Sequence, residues 1–195
     1  MKAVKAPVPG GPENLKILEV PKPTPSEFEI LVEVHASALN RADLLERKGV
    51  YPPPPGTDGI LGVEAAGLVV EVGSKVTKWK QGDRVMVLLS GGGYAEYCKV
   101  HQDIVIRVPD NLSWEQAAAI PEAWLTAYQL LKFVADVKPG DLVLVHAGSS
   151  GVGTAATQIA RMMGAKTIVT AGSKEKLDFC RNYCADYFVN YRTEE

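Results

Sequence analysis

Four apolar residues, Leu142-Val143-Leu144-Val145, run into His146-Ala147-Gly148-Ser149-Ser150-Gly151-Val152-Gly153, and a helical pattern follows at once. Strand, glycine-rich turn and helix in that order leave a chain few folds to choose from. Glycine lets the backbone turn tightly and approach an anion, and the helix N-terminus adds free N–H groups and positive dipole charge. Leu142 to Val145 predicts a buried parallel strand, and Val152, Ala156, Ile159, Ala160 and Met163 share one helical face. Gly164 closes that helix. Local structure of this kind cradles a dinucleotide pyrophosphate, with Gly148, Ser150, Gly151, Val152 and Gly153 at the phosphates. The pattern Gly-x-Gly-x-x-Gly is met only in part, because Ser150 stands at the middle glycine. An ordinary tight turn is the competing reading, and the flanking strand and helix favour the nucleotide one.

The surroundings extend the same pattern. Thr167 to Thr170 predicts a second strand, Lys174 to Tyr183 a second helix, and Tyr187 to Tyr191 a third strand. That succession is β-α-β-α-β, one mononucleotide-binding half of a doubly wound parallel sheet. Upstream the periodicity changes. Leu15 to Val20, Ile30 to His35, Leu68 to Val72, Arg84 to Leu89, Tyr94 to Val100 and Ile104 to Val108 are short apolar runs separated by turn signals. They predict a small β barrel or sandwich, interrupted by a helix at Asn40 to Lys48. Ser113 with Gln116 forms a capping box for a helix from Trp114, and Pro121 interrupts it before Glu122 to Val134 continues in helical period. The expected organisation is α/β plus β: a β domain over 1–120 and half of a dinucleotide-binding domain over 121–195. Pro52-Pro53-Pro54-Pro55 cannot donate backbone hydrogen bonds and reads as a stiff extended loop, or as a ligand for a proline-binding module.

Composition removes other function classes. The 195 residues carry a formal net charge of −2, which argues against an electrostatic nucleic-acid surface or a polybasic membrane contact. No apolar run is long enough to cross a bilayer, and no apolar segment follows the charged N-terminus, so a cytoplasmic location is expected. Cys98, Cys180 and Cys184 make no disulfide framework. Cys180 and Cys184 fall four apart in a helical stretch, and read as buried thiols rather than metal ligands for want of a further donor nearby. His35, His101 and His146 follow no ligand spacing.

Several segments agree in order and spacing with a known family. These are Asn40-Arg41-Ala42-Asp43, Leu61-Gly62-Val63-Glu64-Ala65-Ala66-Gly67, Gly82-Asp83-Arg84-Val85, Gly91-Gly92-Gly93-Tyr94-Ala95-Glu96-Tyr97 and the turn Ala147 to Gly153. Pro9-Gly10-Gly11-Pro12-Glu13-Asn14-Leu15 and Ile120-Pro121-Glu122-Ala123-Trp124-Leu125-Thr126 sharpen the match. The chain resembles the zinc-free quinone oxidoreductases of the medium-chain dehydrogenase/reductase superfamily. The resemblance implies a GroES-like β domain, a partial Rossmann domain, NADPH as cofactor and a small-molecule quinone as substrate. It points to Asn40, Tyr51 and Ser150 as catalytic groups, and to Thr126 at the nicotinamide carboxamide. Asn40 serves either as an amide donor to the quinone or as a helix N-cap, and Tyr51 either as a stacking phenol or as a loop aromatic. Relatives often carry tyrosine where Leu45 stands.

Two expectations follow about cofactor and metal. Where zinc-dependent relatives place cysteine and histidine, this chain has Asn40 and Val63, which leaves Glu64 alone as a ligand, too few for zinc. The second strand leads into Thr170-Ala171-Gly172-Ser173-Lys174-Glu175-Lys176, with no carboxylate directly after the strand to take a ribose 2′-hydroxyl. Gly172, Ser173, Lys176 and Tyr191 match relatives that take NADPH, the alternative for the lysines being a solvated helix start. Other classes stay open: a non-catalytic nucleotide-binding module, or a serine hydrolase through Ser150, which lacks the glycine of a nucleophile elbow at Val152. The stop after the third sheet strand further suggests a truncated member with an open sheet edge. Full-length relatives pair as homodimers through the far edge of that sheet, so dimerisation of this chain is doubtful.

Overall fold

A computed structural model describes residues 1–194, which divide between Glu122 and Ala123 into two units. In the first unit a five-stranded antiparallel sheet has the order β6-β3-β4-β5-β7. Its strands are β3 (Glu29–Ala36), β4 (Glu64–Val72), β5 (Arg84–Leu88), β6 (Tyr97–His101) and β7 (Val105–Arg107). β1 (Lys2–Lys5) and β2 (Lys16–Glu19) pair as a two-stranded sheet, and β1 is also bridged to Ile60 and Ala95. Alternation explains the packing: Ile30, Val32, Ala65, Val69, Val85, Val87, Cys98 and Val100 form one cluster. On a second cluster, α2 (Trp114–Ala118) buries Ala117 and Ala118 against Ala66, Met86 and Val108.

Three local differences from the sequence pattern have physical causes. Strand β4 begins four residues earlier than its apolar run, because Glu64 to Gly67 are buried and paired with β5 despite their small or charged side chains. Lys2–Lys5 alternates lysine with Ala3 and Val4, so its strand is carried by pairing with β2 rather than by an apolar run. Helix α3 (Pro121–Tyr128) starts at Pro121, where a missing N–H costs nothing, and gives way at Gln129–Val134 to a wider π turn.

The second unit is a three-stranded parallel sheet, β10-β9-β8, with β8 (Leu142–Val145), β9 (Lys166–Ala171) and β10 (Tyr187–Asn190). Helices α4 (Gly151–Met162) and α5 (Lys174–Arg181) are the crossovers, as the β-α-β-α-β reading requires. Ala155, Ala156, Ile159 and Ala160 of α4 pack with Val145, Val169 and Leu177. Strand β8 is not buried along its length: it is an edge, and Leu142 and Leu144 are more than half exposed. Cys184 does not share a helical face with Cys180, because α5 ends at Arg181 and Cys184 adopts φ +68°.

Candidate functional site

The substrate-side candidates lie in the first unit. Asn40 precedes α1 (Arg41–Arg47), and its backbone N–H donates to Asp43 Oδ2 at 2.7 Å. Its side-chain Nδ2 donates to Glu64 Oε1 at 2.6 Å. This bond turns the nitrogen end of the Asn40 amide toward Glu64. Asn40 is therefore both a helix cap through its backbone and an oriented amide through its side chain.

Glu64 is 1% exposed and takes a second bond, from the Glu122 backbone N–H at the first turn of α3, at 2.8 Å. Ser37 Oγ donates to the Glu64 carbonyl at 2.6 Å. Beside them Tyr94 Oη donates to Asp43 Oδ2 at 2.7 Å, while Asp43 Oδ1 is buried without a partner. Burial pushes the Glu64 carboxyl above the ordinary glutamate value, against its bonds from Glu122 and Asn40, and the carboxylates of Glu122 and Asp43 add to the rise. Glu122 and Glu46 are raised by burial and then by Asp43. Burial, followed by the bond to Asp43, drives the Tyr94 phenol far above its usual range. The result is an acidic cluster around the Asn40 amide, buried at Asp43 and Glu64 and half-buried at Glu46, Tyr94 and Glu122.

In the sequence Asp43 stands out only within the segment Asn40-Arg41-Ala42-Asp43 and Glu64 only as a lone metal ligand, and Tyr94 is not singled out as a site residue. An Asn-x-x-Asp capping pattern was the available signal for Asp43. Tyr51 is exposed on the loop before Pro52 and makes no hydrogen bond to this cluster among the described residues. No group of three or more His, Cys, Asp or Glu side chains is arranged to hold a metal among those residues.

The nucleotide-side candidates lie in the second unit. Ser150 caps α4, its Oγ accepting the Gly153 N–H at 3.1 Å. The amides of Gly151 and Val152 have no acceptor among the described residues, which leaves two donors at a helix N-terminus. Gly148 is required sterically: a Cβ there would lie 2.6 Å from Val169 Cβ and 3.3 Å from Cys180 Sγ. Its N–H donates to the Thr170 carbonyl at 3.0 Å, tying the turn to the end of β9. At that same end Ser173 caps α5, accepting the Lys176 N–H at 3.4 Å. Tyr191 follows β10, and its Oη would stand 2.6 Å from a Cβ at Gly172. Gly172, Ser173, the first turn of α5 and Tyr191 are thus brought together. Thr126 is half-buried on α3, without a side-chain hydrogen bond among the described residues. These donors, with no carboxylate directly after β9, fit a phosphorylated dinucleotide.

Residues 26–110 match the alcohol dehydrogenase GroES-like domain, and residues 151–195 match the zinc-binding dehydrogenase family. The chain is 38% identical over 194 residues to a quinone oxidoreductase of Sus scrofa, covering 98% of this chain and 59% of that protein. With quinone oxidoreductase 1 of Escherichia coli K12 it shares 41% over 187 residues, 95% of this chain and 57% of the other. Over nearly its whole length the chain is similar to members of the medium-chain dehydrogenase/reductase superfamily. Among solved structures of the superfamily, the Escherichia coli quinone oxidoreductase complexed with NADPH superposes with a TM-score of 0.92 at 38% identity. It covers all of this chain, which covers 60% of it. The antiparallel sheet of the first unit is accordingly GroES-like and the parallel sheet of the second Rossmann-type. The chain spans less than two thirds of the length of these relatives.

Proposed function

We propose that this chain binds NADPH and belongs to a metal-free oxidoreductase that reduces a quinone or a related conjugated carbonyl. The observation that carries this reading is the convergence at one end of the parallel sheet. Amides at Gly151 and Val152 without an acceptor among the described residues follow the turn whose Gly148 N–H bonds Thr170 at the end of β9, and beyond β9 stand Ser173 and Lys176, with no carboxylate directly after the strand. The likeness to quinone oxidoreductases, one of them complexed with NADPH, supports the choice of nucleotide and substrate class. When bound, the reduced cofactor supplies the hydride equivalent.

The protein's own contribution is positioning and charge. Gly151 and Val152 amides neutralise phosphate charge, and Thr126 holds the carboxamide end. Asn40, oriented by Glu64, and Tyr51 supply polar groups for the carbonyl oxygen as it gains charge, without a Lewis acid. Zinc is unsuited to these residues because Asn40 and Val63 are not ligands and both Glu64 oxygens are already engaged. A second reading, nucleotide binding without turnover, draws on the exposed β8 edge.

Titration with NADPH and NADH, paired with a quinone-reduction assay and elemental analysis, tests the proposal. NADPH should bind more tightly than NADH, and Lys176→Glu should remove that preference at a cost of about 1–3 kcal/mol. Tyr51→Ala should lower turnover and leave nucleotide affinity nearly unchanged. Binding without turnover selects the second reading, and stoichiometric zinc that restores lost activity refutes the metal-free one.

A further inference from the structure

We infer that Arg192 is a specificity-determining residue for a nucleotide 2′-phosphate, acting beside Tyr191 over the Gly172-Ser173 turn. The inference rests on the nucleotide reading above and adds a residue that sequence reasoning did not single out.

Strand register brings Arg192 to this place. β10 runs parallel to β9 with Val189 beside Thr170 and Asn190 beside Ala171, so the residues after Asn190 emerge at the same sheet end as Gly172. A Cβ on Gly172 would meet Tyr191 Oη at 2.6 Å and Arg192 Nε at 3.1 Å. Both side chains therefore close onto the one residue of the turn that has none. The backbone that carries them is anchored. Asn190 Oδ1 accepts the Arg192 N–H at 3.1 Å, and the Asn190 carbonyl accepts from Thr193 and Glu194 at 3.0 and 2.9 Å. Glu194 Oε1 in turn accepts the Asn190 N–H at 3.1 Å, which engages that carboxylate with the backbone.

Charge pairing points the same way. Lys174 and Arg181 on α5 are both paired with Asp178. Arg192 and Lys176 have no carboxylate within ion-pair distance among the described residues. Two cations without an ion-pair partner among the described residues, the Ser173 hydroxyl and the Tyr191 phenol make a set rich in donors and poor in carboxylates. A ribose diol is held best by a carboxylate, and none directly follows β9, whereas a phosphomonoester near −2 charge takes every donor offered. The guanidinium adds a planar fork that Lys176 cannot supply.

The test is calorimetric titration of the 195-residue chain with NADPH, NADH, adenosine 2′,5′-bisphosphate and 5′-AMP, for the natural sequence, Arg192→Gln and Arg192→Lys. Circular dichroism checks that each variant is folded. Arg192→Gln should weaken NADPH and the bisphosphate roughly tenfold while NADH and 5′-AMP change less than about twofold. Arg192→Lys should fall between. Unchanged NADPH affinity in Arg192→Gln, or equal losses for all four ligands, overturns the role of Arg192. Failure of the natural sequence to bind any of the four is a different result: it removes the nucleotide reading and this inference with it.

Discussion

Replacing Glu64 by alanine should destabilise the first unit by about 2–4 kcal/mol, and by glutamine about half as much. The carboxylate accepts two bonds, from Asn40 Nδ2 and from the Glu122 N–H, at a residue that is 1% exposed. Each hydrogen bond to a charged group contributes roughly 1.5–3 kcal/mol, and a stranded buried donor costs about 1–3 kcal/mol. Asn40 is half-buried and recovers part of its loss from water, whereas the Glu122 amide sits at a helix start with no other acceptor among the described residues. Removing a buried charge offsets some of the cost. Glutamine keeps the volume but offers one accepting oxygen, so its amide group confronts the other donor.

The sign of the pH dependence follows from the raised Glu64 value. A carboxyl that is harder to ionise in the folded state than in the unfolded one contributes most stability when protonated. That contribution is complete below the unfolded value and is lost as pH rises through the folded one. The stability of the natural sequence relative to Glu64→Gln should therefore shrink with rising pH above about 4.5. Urea unfolding between pH 4.5 and 8, with hydrogen exchange of the Glu122 amide as the local reading, measures both effects. An unaltered Glu122 exchange rate in Glu64→Ala, or a glutamine variant as stable as the natural sequence at every pH, refutes the reasoning.

Other perturbations have equally direct outcomes. Gly148→Ala forces a Cβ to 2.6 Å from Val169 Cβ, and thermal unfolding should show the second unit losing about 1–3 kcal/mol. Tyr94→Phe removes the phenol donor to Asp43, whose Oδ1 is already unpartnered, and should lower stability by about 1–3 kcal/mol in urea titration. Burial pushes the Cys98 thiol up to about 12 and raises that of Cys180, so a thiol reagent at pH 8 should modify only the half-buried Cys184 before unfolding. Ser150→Ala strips the cap from α4 and should cost about 1 kcal/mol in thermal unfolding, with a parallel loss of nucleotide affinity.

Much of the architecture is written locally. The turn from His146 to Gly153 announces a strand before it and a helix after it, because only glycine tolerates the approach of Val169 to position 148. Period-two alternation in Ile30 to Val34 and the Ser113–Gln116 box likewise declare their elements without help from distant residues. Asn40 was legible as a helix cap, and its backbone does take that part through Asp43. What its amide faces was not legible. Glu64 lies 24 residues on and Tyr94 51 residues beyond Asp43, so their meeting depends on strand β4 and the loop before β6 being folded. Arg192 was invisible for the same reason: its nearness to Gly172 comes from the register of β10 on β9, twenty residues apart in the chain. The burial of Glu64 to Gly67 depends on the strands to either side, and the exposure of Leu142 and Leu144 on β8 pairing with β9 alone among the described residues. Spacing along a chain specifies which face a side chain takes, but the neighbour across a sheet sets its solvent and its charge.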